Sequence, residues 1–186
     1  MINKNNAIVS TLNLTQTKTK IGIGVALATV LLPTLVHNQL ITGPLINTLL
    51  LLTTLTLGTS AALTIGLIPS LIALSRGLLP IALAPAVPFI MVSNAIYILV
   101  FAKFIKNDEI RKNKITNKGF ALGVTAGSIA KFAFLTSASQ LILPRLFTSA
   151  AITQKAAFML SAPQLVTALI GGVIAFLAYK GIKRVH

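Results

Sequence analysis

The sequence predicts an all-α integral membrane protein of six transmembrane helices, with N-terminus and C-terminus cytoplasmic. Three observations carry this. Of 186 residues, 55% are hydrophobic and only 10% are charged, whereas soluble domains carry about 25% charged residues. Apolar blocks recur at lengths near the roughly 20 residues that a helix needs to cross hydrocarbon. The basic residues cluster between those blocks and divide unequally between the two sides.

Residues 1–20 are polar and rich in Asn and Thr. They lack the apolar run and cleavage site of a leader, so a cytoplasmic N-terminal segment is expected. Residues 21–186 then make a single transmembrane domain. Span one is "IGIGVALATVLLPTLV", 21–36, with two small-residue pairs four apart, Gly22 with Ala26 and Gly24 with Ala28. Such pairs let helices approach closely. In the loop "HNQLITGP", Thr42 is expected to cap a helix beginning at Pro44. From 44 to 102 the only charge is Arg76. Breaks at Gly58–Ser60 and at "SRG", 75–77, divide that block into spans 44–58, 60–75 and 80–102. Pro80, Pro85 and Pro88 interrupt the start of span four, which makes its outer mouth either a cavity wall or a simple kink. After the hydrophilic loop "KFIKNDEIRKNKITNK", span five covers 119–142 and span six lies within 156–180. "SAPQ", 161–164, reads as a capping box, with Ser161 as cap and Gln164 three residues on. Span six then begins at 162, and 149–160 is a separate outer segment.

Alternating six times from a cytoplasmic N-terminus places Lys4, Lys18, Lys20, Lys103, Lys106, Arg111, Lys112, Lys114, Lys118, Lys180, Lys183 and Arg184 inside. Only Arg76, Arg145 and Lys155 fall outside, as the positive-inside rule requires. A five-span arrangement loses this agreement. The expected location is the cell membrane, multi-pass.

Several function classes drop out. The net charge of +14 lies in clusters flanking spans, with few aromatics for stacking, so it suits membrane lipids and not nucleic acid. Cysteine is absent, which removes disulfides and thiolate chemistry. The only acids, Asp108 and Glu109, sit in the hydrophilic loop, so no span offers a carboxylate for proton or sodium coupling. No Walker-type glycine loop is present, so the chain does not itself hydrolyse ATP. His37 and His186 are too few for a hydrolytic or metal centre. No enzymatic activity, metal or cofactor is expected.

One residue stands out. Lys131 lies in the apolar run "GSIAKFAFLTSASQLIL", 127–143. A cation at the bilayer centre costs about 3 kcal/mol, and no carboxylate is at hand. Its helical face carries Gly127, Ser128, Ala138 and Ser139, small residues that leave room beside it. Three roles are open: binding an anionic ligand group such as a carboxylate or phosphate, serving as a structural cation held by carbonyls and polar side chains, or snorkelling to an interface. Ile90, Asn94, Tyr97 and Phe101 form a second stripe, able either to stack a ring-shaped ligand or to pack helices. Thr167, Ala168, Gly171, Ala175 and Ala178 form a small-residue seam on span six.

The layout resembles a known family. The segments "HNQLITGPLINTLLLL", "GLIPSLIALSRGLLPIALAPAVPFIMVSNAIYILVF" and "PQLVTALIGGVIAF" are similar to the substrate-binding S components of energy-coupling factor transporters. The resemblance covers roughly residues 20–184 and rests on layout, not on a single motif. It implies a six-helix subunit that binds a vitamin-like micronutrient from the outer side. It further implies partners, namely a transmembrane scaffold subunit and cytoplasmic ATPase subunits. Many S components carry an Ala-x-x-x-Ala seam on the first helix that meets the scaffold, and here the matching positions are Gly22 with Ala26 and Gly24 with Ala28. The family pocket is built by the first outer loop and the outer halves of helices four to six. That implies ligand contacts from His37, Asn38, Gln39, Asn94, Lys131, Gln140 and Gln164. Gln140 lies roughly opposite Lys131 around span five, and the substrate has no signature. A non-transporting membrane scaffold, or an oligomeric channel, is the alternative from the residues alone.

Overall fold

A computed structural model describes residues 4–36, 38–77, 79, 81–105, 115–147 and 149–184. Among them there is no strand. The helices are α1 (Lys4–Leu35), α2 (Gln39–Thr56), α3 (Thr59–Gly66), α4 (Ile68–Ser75), α5 (Val87–Phe104), α6 (Asn117–Leu141), α7 (Leu143–Leu146), α8 (Ala150–Met159) and α9 (Ala162–Arg184), with a 3₁₀ segment at Ile81–Ala86.

Three stretches are long and apolar enough to cross a membrane: Ile81–Phe104, Asn117–Leu141 and Ala150–Ile182. Thr19–Leu32, Leu40–Thr56 and Thr59–Ser75 are apolar but shorter. These three stretches mark the chain as a helical membrane protein, and its exterior is strongly apolar. Ile23, Leu27, Leu31 and Leu35, spaced by four on α1, are each more than half exposed.

Glycine sets two of the breaks. Gly58 (φ 92°) and Gly77 (φ 72°) take left-handed backbone, which glycine adopts without steric cost. A third break, between Gly66 and Ile68, is not anticipated by the sequence reading. Pro69 follows it at the start of α4, where a missing N–H is harmless.

Two caps differ from expectation. α2 begins one turn earlier than Pro44, at Gln39, and its cap is Asn38, whose Oδ1 accepts from Leu40 N at 3.0 Å. Asn outranks Thr at this position. The Thr42 hydroxyl instead donates to the carbonyls of Asn38 and Val36, at 2.9 and 3.0 Å, and Pro44 lies inside the helix. α9 does begin at Ala162, but no capping box forms. Ser161 Oγ turns back to donate to Phe158 O at 3.0 Å, and Gln164 Nε2 donates to Met159 O at 3.3 Å.

α2 lies at the centre of one half of the bundle, against α1 and α9, while α5 packs along α6. The α2–α9 approach uses the predicted seam. Gly171 sits against Pro44 O and Asn47 Cβ, and Thr48 Oγ1 donates to Gly171 O at 2.9 Å. At one end, Phe101, Phe120, Val124 and Ala175 close the core. At the other, Leu79, Leu83 and Val87, from the proline-rich segment, pack on Leu135, Leu143 and Leu160. Pro80 lies outside the described residues, as do Lys106, Asp108, Glu109, Arg111, Lys112 and Lys114.

Candidate ligand-binding site

Three helices each bring one polar side chain to a similar depth. Asn47 lies eight residues past Gln39 on α2, Asn94 seven past Val87 on α5, and Lys131 ten before Leu141 on α6. At 1.5 Å per residue these offsets are about 12, 10 and 15 Å from the helix ends. The three therefore meet well inside the bundle, each at most 3% exposed.

Lys131 Nζ donates to Asn47 Oδ1 and to Asn94 Oδ1, both at 2.8 Å. An ammonium has no acceptor, so both amides turn their oxygens to it. The Tyr97 ring centroid lies 5.6 Å from the same nitrogen, within cation–π reach. Second contacts hold these partners. Asn94 Nδ2 donates to Gly66 O at 3.3 Å, at the end of α3, where carbonyls lose their helical donors. Tyr97 Oη donates to Ala168 O at 3.0 Å. Gly127 leaves the space that the tyrosine needs, since a Cβ there would come within 2.9 Å of the ring. Oriented dipoles and a ring face thus offset part of the cost of burying the charge.

The cluster does not close on itself. Lys131, Asn47 and Asn94 line a cavity of about 420 Å³, within the usual range for small-molecule sites. Ile46, Pro69, Leu79, Ile90 and Met159 give it apolar walls, and Lys155, Phe158, Gln164 and Thr167 contribute from α8 and α9. Of the three roles open to Lys131, snorkelling is removed: the side chain is buried and turned to Asn47 and Asn94.

The remaining sequence-implied residues divide. Asn94 and Gln164 line the same cavity as Lys131. Gln140 does not. Nine residues at 100° each place it half a turn from Lys131, exposed and facing a separate open groove with Phe147 and Thr153. Asn38 is exposed and serves as the α2 cap. Gln39 opens α2, but its side chain lies outside the described ones, and His37 lies outside the described residues altogether. On α1, Gly22 is buried against Leu57 and Thr56 of this chain, whereas a Cβ on Gly24 would meet nothing within 4 Å. Ala26 and Ala28 are partly exposed.

Sequence reasoning missed Asn47 and underrated Lys155. Asn47 had a visible signal: it is the one carboxamide in the block 44–58. Compared with family models, with curated proteins and with solved structures, the chain finds no match.

Proposed function

We propose that the chain is the membrane-embedded substrate-binding subunit of an ATP-driven importer of a vitamin-like micronutrient, akin to an S component of energy-coupling factor transporters. The observation that carries this reading is a buried cation on the wall of a ligand-sized cavity, held in place by two asparagines. A purely structural lysine needs no hollow beside it, and intramembrane charges mark sites of function by default. In this reading all six apolar stretches span, the shorter ones within a locally thinned or protein-covered bilayer. Both termini are cytoplasmic, and the cavity, with Lys155 in its lining, faces outward.

The rings of Tyr97, Phe101 and Phe120 occupy the bundle beyond the cavity, which argues against a continuous pore and for a dead-end binding pocket. Release inward then needs partners that move the subunit: a transmembrane scaffold and cytoplasmic ATPase subunits. The chain supplies no ATP site of its own.

Purification from native membrane tests this. A scaffold subunit and ATPase subunits are expected to copurify, and ligand uptake into vesicles is expected to require ATP. A chain that purifies alone, with uptake indifferent to ATP, contradicts the reading.

A further inference from the structure

We infer that the molecule accepted by this cavity is a small monocarboxylate with an apolar body, seated carboxylate-first against Lys131 and Asn47. This rests on the binding-subunit reading above and narrows it to a chemical class.

The inner wall is a surface of donors. Lys131 has three N–H groups and spends two of them on Asn47 and Asn94. Asn94 spends one of its two amide N–H groups on Gly66 O. Asn47 gives its oxygen to Lys131, and its Nδ2 has no acceptor among the described residues. Nor is that nitrogen among the fully enclosed atoms without partners, which are Ser128 Oγ and Thr136 Oγ1. Since Asn47, Asn94 and Lys131 all line the cavity, one ammonium N–H, the Asn47 amide N–H groups and the second N–H of Asn94 remain for whatever enters.

These donors surround one buried ammonium, Lys131; Lys155, the other lysine of the lining, is exposed, and no acid lies among the cavity-lining residues. A carboxylate matches the ammonium in charge and the donors in its two oxygens. A phosphate carries about −1.5 to −2 charges, more than the single buried ammonium neutralises without the exposed Lys155. The rest of the lining favours an apolar body. The hydroxyls of Thr42 and Thr167 and one N–H of Gln164 already donate to carbonyls of their own helices or of the preceding turn, and apolar side chains make up most of the remaining wall.

The test uses the whole chain in lipid nanodiscs with four probes of equal chain length: hexanoate, hexyl phosphate, hexan-1-ol and hexylamine. Binding is read as a concentration-dependent rise in unfolding temperature. Hexanoate is expected to bind at least about tenfold more tightly than the other three. Asn47→Asp gives Lys131 a carboxylate of its own. Hexanoate affinity is expected to fall at least about tenfold in it, with the unfolding temperature of the free protein held or raised. Asn94→Asp serves the same purpose should the first variant not fold. Equal or tighter binding of hexanol or hexyl phosphate overturns the carboxylate assignment and leaves a ligand cavity standing. Full hexanoate affinity in the folded Asp variants also overturns it. Failure of all four probes to bind the wild-type chain overturns this inference, and the binding-subunit reading is then judged separately by its copurifying subunits.

Discussion

Around Phe120 the helices are filled by rings, whereas around Lys131 the same helices leave about 420 Å³ unfilled. Phe120 meets Phe101 edge-on with centroids 5.2 Å apart, and Phe176 at 5.0 Å. Both regions are built on α5, α6 and α9, so helix packing alone does not decide which end is solid. Side-chain choice does. At the Phe120 end the inward positions are aromatic or aliphatic, and the Tyr97 hydroxyl there is satisfied by Ala168 O. At the Lys131 end they are an ammonium and two amides, which cannot fill volume without leaving donors unmet. The solid end packs the bundle, and the hollow end is where the proposed ligand would sit.

Substitutions can break or sharpen this contrast. Phe120→Ala should have the largest effect, a loss of about 3–5 kcal/mol by removing a buried ring. Unfolding in detergent checks it, and ligand affinity of the folded fraction should be unchanged. Gly171→Ala comes next. Its Cβ would lie 2.6 Å from Pro44 O and 2.7 Å from Asn47 Cβ, so helix backbone must shift, at about 1–3 kcal/mol. Because the strain falls on Asn47, this variant should also weaken ligand binding, which titration would detect. Tyr97→Phe removes the hydrogen bond to Ala168 O but keeps the ring beside Lys131. A loss of about 1 kcal/mol is expected, with binding retained. Gly24→Ala should raise stability by about 0.5 kcal/mol, since alanine is the better helix former and nothing lies near its new methyl. If that face of α1 meets the scaffold subunit, alanine keeps the seam small and the partner still copurifies, whereas Gly24→Leu loses it while remaining folded.

Much of the fold was legible because its signals are local. Apolar length marked the helices, and Gly58 and "SRG" marked turns that only glycine makes easily. What the sequence hid depended on competition or on distance. Asn38 displaced Thr42 as a cap because it is the stronger acceptor one turn earlier. Ser161 bonded backward instead of forward, so a matching spacing produced no capping box. At the site, Lys131 was legible from its cost alone. Its partners were not, because Asn47 and Asn94 lie 84 and 37 residues away in sequence and only tertiary packing brings them together. Gln140 shows the reverse: polarity and layout pointed to the pocket, but its angle on α6 turns it outward.

The most direct test is mass spectrometry of small molecules released from the purified protein, wild type beside Lys131→Met, each confirmed folded by gel filtration and thermal unfolding. A carboxylate-bearing compound released in stoichiometric amount from the wild type, and lost from the variant, is the result expected. The same compound released equally from both, or none from a wild type that still drives uptake, would contradict a cargo held by this buried ammonium.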